Sequence, residues 1–388
     1  MLGLELTPGE VGLLVAVVSL FFGQLFYLFW MYVWPWRKRH AVSDAASNDF
    51  LPVSLIVYAE DSAEQLRAHL PLFLQQDYPQ FEVIVVSDGL SEPCREVLSR
   101  LKAEYPTLYY TYIPPGARYI SKKKLALTLG IKAARYNRLA FTEADCEPFN
   151  LNWLKAMMSV YNEHTQLVTG FCAYPYTQGF QDQFIAFDNL KYGLQYLSAG
   201  LWKHFYGGTN KNLSYTKELF FQHKGFYNQF YLKSGEDNLF INEAANRENA
   251  RVSYEPDSIL KRDRILRLKE WTDGRIMRQS AQSLYTCRFY RFFKWEDICF
   301  GLFLGADIGL FVSGIRGQWQ LALLASLLWM LYVGVKGYLF VRISKWLQQK
   351  ISLWMFPFFD FLHPFYSLYI EMVSRFKKRE NYVFVIEK

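Results

Sequence analysis

Lysine and arginine are absent from the first 36 positions of this 388-residue chain. A secretory leader needs a basic head, so the absence argues against one. So do the length of the apolar run that follows and the Trp34-Pro35-Trp36 sequence, which offers no small-residue cleavage site. Cysteine is also scarce. The five residues are odd in number and none pairs at C-x-x-C spacing, which excludes a disulfide framework and a zinc knot and leaves free thiols. No internal repeat and no low-complexity tract is present.

Long apolar runs, by contrast, are plentiful. Apolar residues make up 51% of the chain and aromatics 18%, a share that points to membrane-interface surface as well as core. Positions 11–36 carry no charge; at about 1.5 Å per residue this run exceeds a hydrocarbon core of about 30 Å. Arg37, Lys38, Arg39 and His40 follow at once. The positive-inside rule therefore places Met1 outside and the chain after Arg37 in the cytosol; a bacterial inner membrane is the expected location. The net charge of +7 suits either nucleic acid or an anionic membrane face, and its clustering beside apolar spans favours the membrane.

Positions 299–315 (holding Asp307) and 319–341 (holding Lys336) are two more runs, joined at Gly317 as a helical hairpin. The cation–aromatic stretch Arg288 to Trp295 before them is expected to lie as a separate interfacial helix in the headgroup layer. Positions 353–372 are apolar but include Pro357, Asp360, His363, Pro364 and Glu371. A span there would put Arg375, Lys377, Lys378 and Arg379 outside, so this segment is expected to be interfacial or re-entrant, giving three spans. The expected organisation is an N-terminal transmembrane helix over 1–40, a cytosolic catalytic domain over 50–285, and membrane-associated segments over 286–388.

Between the spans the periodicity changes. After a small, polar linker at 41–49, short apolar β-branched runs at 53–58, 81–86, 108–113 and 138–142 alternate with helical patterns at 63–76, 92–104 and 121–135. That alternation predicts an α/β fold with a mostly parallel sheet flanked by helices. Ligands in such sheets bind beyond the carboxyl ends of the strands, which singles out the polar residues placed there.

Asp88 follows the second strand and precedes Gly89, where it could bond a base or ribose, or merely cap a turn. Glu143 and Asp145 follow the fourth strand at i and i+2, so in extended backbone they share a side. Their hard oxygens suit Mg²⁺ or Mn²⁺, and a solvated acidic loop is the plainer alternative. Glu236 and Asp237 adjoin; mutual repulsion raises one pKa and favours a base, although an N-cap aspartate would look the same. Ser121-Lys122-Lys123-Lys124 sets cations against a helix dipole, which makes most sense if a polyanion binds there.

In order and spacing, positions 53–285 resemble the family-2 glycosyltransferases, inverting enzymes with a GT-A-type fold. Val53-Ser-Leu-Ile-Val-Tyr-Ala-Glu-Asp61 is similar to the family's opening strand and nucleotide-binding turn. Val83-Ile-Val-Val-Ser-Asp88-Gly89 is similar to the segment whose aspartate meets the base. Ser121-Lys-Lys-Lys-Leu-Ala-Leu resembles its Gly-Lys-x-x-Ala-Leu helix start, and Glu143-Ala-Asp145 its Asp-x-Asp. Gly207-Gly-Thr-Asn210 and Glu236-Asp237 resemble the acceptor-side turn and the general-base pair.

The resemblance implies a nucleotide-sugar donor, expected to be a UDP-sugar, held by Tyr58, Glu60, Asp88, Lys122, Lys123 and Glu143. It implies a divalent metal on Asp145, catalysis by Asp237 with Glu236 and Arg278, and a lipid-linked or glycan acceptor. Two departures stand out. Glu143 replaces the first Asp, and Arg275-Ile-Met-Arg278-Gln279 replaces Gln-x-x-Arg-Trp, which weakens the case for polysaccharide synthesis. A nucleotidyltransferase is the first rival, but Tyr58-Ala-Glu-Asp-Ser62 lacks that class's Gly-rich, cationic loop. An inactive membrane scaffold is the second; every carboxylate position keeping an acid argues against it.

Overall fold

The computed structural model describes residues 6–38, 50–113, 121–230, 232 and 235–376. The expected linker at 41–49, the basic residues Arg39 and His40, and Lys377, Lys378 and Arg379 lie outside them.

Four parallel strands open the sheet: β1 (Val53–Ala59), β2 (Phe81–Ser87), β3 (Leu108–Tyr112) and β4 (Arg138–Glu143). Every residue of β1 is buried, as a run apolar on both faces requires in a covered parallel sheet. Alternate side chains feed two cores. Val53, Leu55 and Val57 pack with Leu66, Leu70, Val97 and Leu98 of helices Ala63–Leu74 and Glu92–Glu104. Ile56 and Tyr58 join Ala126, Leu127 and Ile131 of helix Lys122–Ala133 on the other face.

Beyond β4 the chain adds β5 (Cys146–Pro148), β6 (Leu167–Thr169), β7 (Cys172–Ala173), β8 (Leu213–Thr216), β9 (Ala250–Val252) and β10 (Leu260–Arg262). The main sheet has seven strands in the order β3-β2-β1-β4-β8-β6-β9, with only β8 antiparallel to its neighbours. A second sheet, β5-β10-β7, pairs β10 antiparallel to β5 so that Arg262 faces Cys146. This pairing brings a late arginine beside the acids that end β4.

Among the described residues, three helices are long and apolar enough to cross a membrane: Pro8–Lys38, Tyr290–Arg316 and Trp319–Trp346. The first two run antiparallel, since Glu10 accepts a hydrogen bond from Ser313 at 3.0 Å while Phe21 meets Phe303 and Tyr27 meets Phe292. Pro8 and the Gly317 turn thus share one end, and the catalytic sheet joins the other. The separate interfacial helix expected before the hairpin is not formed. From Tyr290 onward that stretch is the opening of the Tyr290–Arg316 helix, because no residue between 290 and 316 breaks the helical hydrogen bonding. Phe356–Phe376 is a helix with exposed Phe358, Phe365 and Leu368 opposite buried Asp360 and His363. Such a helix suits a place along a membrane surface better than across it.

Buried ion pairs join these parts. Asp188, on the deeply buried helix Phe180–Leu201, accepts from Trp271 at 2.7 Å and pairs with Arg275 and His363, each at 3.1 Å. One turn on, Lys191 meets Glu296 at 3.0 Å and Asp297 at 2.7 Å.

Candidate active site

The loops after β1, β2 and β4 lie together, as parallel strands dictate. At the β1 and β2 ends, Lys122 pairs with Asp88 at 3.0 Å, and the Lys123 ammonium stands 5.9 Å from the Tyr58 ring centre. Tyr58 is buried, Asp88 half-buried and Glu60 exposed. Burial, and the negative charge of Asp88 beyond it, push the Tyr58 phenol well above its ordinary range.

Lys123 ties two distant segments together. Its ammonium is 2.7 Å from Glu143 and 2.8 Å from Glu236, so the acids ending β4 and those before helix Asn238–Ala244 share one wall. Burial opposes charge on Glu143, but Lys123 and Lys211 outweigh it and hold its carboxyl at about 2. Lys211 pairs with Glu143 and lies 3.0 Å from Asp145. Arg262 also pairs with Asp145. Desolvation would raise the Asp145 acid, yet Lys211 and Arg262 bring it well below the usual carboxylate range.

Asp237 differs from its neighbours. Burial raises its pKa, the adjacent Glu236 charge raises it further, and Lys123 and Arg278 only partly offset both. Oδ1 accepts from the Asn238 backbone at 2.6 Å and from its side chain at 3.0 Å, whereas Oδ2 takes one long bond from the Asn210 N–H, 3.3 Å. The N-cap reading thus holds through Oδ1, and Oδ2 keeps little competition for its lone pairs. Gly208 makes the Asn210 contact feasible. A Cβ there would stand 2.4 Å from Thr169 Oγ1 and 2.6 Å from Ile241 Cδ1, so only glycine lets the turn lie against helix Asn238–Ala244.

A cavity of about 200 Å³ is walled by Lys123, Glu143, Tyr192, Asp237, Trp271 and Arg278, among others. The Arg278 guanidinium lies 4.0 Å from the Tyr192 ring centre, and the Tyr192 hydroxyl donates to Asn238 at 2.7 Å. Asp145, Glu236, Asp237 and Arg278 are thus brought to one place with Lys123 and Glu143. Tyr58, Asp88, Lys122 and Glu60 lie outside this cavity, at the neighbouring strand ends.

Each cation of the lysine run already has a partner within the fold. Lys122 and Lys123 have acids, and buried Lys124 donates to the carbonyls of Gln229 and Leu232 at 2.6 and 3.0 Å. Four residues were not foreseen: Lys211, Arg262, Tyr192 and Trp271. Lys211, directly after the Gly207-Gly208-Thr209-Asn210 turn, could have been found by position. Arg262 could not, because its place depends on β10 pairing with β5. No cluster of three His, Cys, Asp or Glu side chains fit to hold a metal occurs among the described residues.

Residues 53–230 match the family described as Glycosyl transferase family 2. Among solved structures, the chain is similar to the mannosyltransferase PcManGT of Pyrobaculum calidifontis, determined with GDP-Man and Mn²⁺. The TM-score is 0.54 and the identity 15%, over 95% of this chain and 99% of that one. It is also similar to the S. aureus TarS fragment 1–349 with UDP-GlcNAc, at TM-score 0.42 and 15% identity over 84% and 92%. No curated protein matches. At such identity, the likeness to PcManGT speaks for a shared fold.

Proposed function

Because residues 53–230 form a family-2 glycosyltransferase domain, of an inverting family that draws on nucleotide-sugar donors, we propose that this cavity performs the transfer, with Asp237 as general base. The observation that carries the reading is Lys123 bridging Glu143 and Glu236, which sets the donor-side acids and the base segment on one wall.

The donor, read as a UDP-sugar, lies along the strand ends with its base by Tyr58, Glu60 and Asp88. Its diphosphate sits among Lys122, Lys123 and Arg278, whose planar fork suits paired phosphate oxygens. Asp237 Oδ2 takes the proton of an acceptor hydroxyl on a lipid-linked or glycan substrate. The freed oxygen forms a bond to the anomeric carbon from the face opposite the leaving group. The bond from that carbon to the diphosphate oxygen breaks, its electron pair leaves with the nucleoside diphosphate, and the configuration inverts. With Pro8 and the hairpin turn at one end of the membrane helices, the positive-inside rule puts this chemistry in the cytosol.

Asp145 and Glu143 have the donor chemistry for Mg²⁺ or Mn²⁺: two ionised hard carboxylates. Lys211 stands between them, and a divalent ion held by these two carboxylates would take the place of that ammonium beside Arg262. Once bound, the ion supplies positive charge to the departing diphosphate.

The test is nucleoside diphosphate release by the purified full chain across a panel of nucleotide sugars, titrated with Mn²⁺. Slow, Mn²⁺-stimulated release is expected with one donor. Lys211→Met should lower the half-saturating Mn²⁺ concentration about tenfold, the effect of one competing charge removed. Pyrophosphate as the product, or no release with any donor, overturns the assignment. An unmoved Mn²⁺ requirement in Lys211→Met overturns the exchange.

A further inference from the structure

A second, larger cavity adjoins the first. It encloses about 600 Å³, within the range of small-molecule sites, and lies where the Tyr290–Arg316 helix meets helices Leu268–Ala281 and Phe356–Phe376. Its walls are mainly apolar and aromatic, with Phe293, Phe300 and Leu304 facing Phe365, Leu368 and Ile370. Tyr192 lines both cavities and stands between them. Through its hydrogen bond to Asn238 it abuts the residue next to the base. Arg275, Arg291 and Lys294 also line the larger cavity, and the acids there are Asp297 and Glu371, with His363 beside them. Asp297 is held by Lys191 at 2.7 Å, and Glu371 lies 3.5 Å from Lys294. Arg275 is committed to Asp188 at 3.1 Å, whereas Arg291 is exposed.

We infer that this cavity is the acceptor's tail site: it takes the apolar chain of a lipid whose head carries phosphate. Three observations select that occupant. The walls continue a membrane-crossing helix at the end facing the catalytic sheet, where a bilayer lipid enters sideways. Arg291 and Lys294 offer cations at the same level as Tyr290 and Trp295, aromatic residues of the kind that mark the headgroup layer. Tyr192 is shared with the smaller cavity, which Asp237 also lines. Tail, phosphate and acceptor hydroxyl are thereby spaced along one molecule. The inference rests on the proposed transfer reaction and names its acceptor class.

Gly301 provides the test. It is an exposed residue of the cavity lining, and a Cβ built on it meets nothing within 4 Å, so Gly301→Trp adds an indole at the cavity wall with no clash at Cβ. The probe is hexadecyl phosphate with a diazirine on its tail, photolysed with the full chain in detergent and mapped by mass spectrometry. Labels are expected to concentrate on residues 293–304 and 363–371, and unlabelled hexadecyl phosphate, but not inorganic phosphate, should compete them away. Gly301→Trp should cut labelling about tenfold while acceptor-free nucleoside diphosphate release continues.

Arg291→Glu, an exposed change, should weaken labelling by the phosphate probe and spare a hexadecanol probe. Labels spread evenly over the outer faces of all three membrane helices and indifferent to both variants would identify ordinary bilayer lipid and overturn the inference. Failure of the transfer reading shows separately, as no nucleoside diphosphate release from the unaltered chain.

Discussion

Replacing Asp237 by asparagine is expected to lower sugar transfer about 10²- to 10⁴-fold, the usual contribution of a positioned general base, with donor affinity nearly unchanged. Asparagine keeps the shape and can still accept from the Asn238 N–H, so the cap on helix Asn238–Ala244 survives. It cannot take a proton. The pH profile adds a second readout. Burial and the Glu236 charge raise the Asp237 pKa. A base works only when ionised, so transfer holds above that raised pKa and falls as pH drops through it. The acid limb should vanish from the residual activity of Asp237→Asn. Steady-state rates across pH, with calorimetric donor titration, check both parts. Loss of donor binding in parallel with turnover would make Asp237 a donor ligand instead.

Arg278→Leu is expected to cost about 10²- to 10³-fold in turnover, as for loss of one preorganised group that stabilises developing charge. The half-buried guanidinium lies over the Tyr192 ring, the place of a pre-set cation rather than a flexible surface one. It also lowers the Asp237 pKa. Removing it should therefore move the acid limb to higher pH, which loss of a packing group alone would not do. Arg278→Lys should restore that limb, since the charge returns, but only part of the turnover, since a point charge lacks the fork. Rate–pH profiles of both variants decide the matter. An unmoved limb in Arg278→Leu would separate Arg278 from the base.

Much of this was legible in the chain. Strands β1 to β4 fall within a residue or so of their apolar runs; β1, β2 and β4 are covered on both faces, which needs an unbroken apolar sequence, whereas β3 is a partly exposed edge. Glu143, Asp145, Glu236 and Asp237 could be found because acids at strand and helix ends stand out against such runs. The short strands β6, β8 and β9 have three or four residues each and carry no period to read. Arg262 and Tyr192 reach the site only through long-range pairing. The lysine run looked unpartnered in sequence for the same reason: its partners come from β2, β4, the Glu236 segment and the stretch around Gln229. Trp271 tempers the altered Gln-x-x-Arg-Trp segment. It lines the first cavity as an aromatic wall, whereas Gln279 faces the second.

In the proposed reaction one donor molecule spans the acids after β4 and the base before helix Asn238–Ala244. Electron cryo-microscopy of the full chain with Mn²⁺ and a non-transferable phosphonate analogue of the donor addresses it directly. The diphosphate is predicted within hydrogen-bond reach of Arg278 and beside Asp145, with the anomeric carbon turned toward Asp237 Oδ2. A nucleotide seated at the strand ends with its sugar pointing away from Asp237, beyond reach of an acceptor held there, would contradict it.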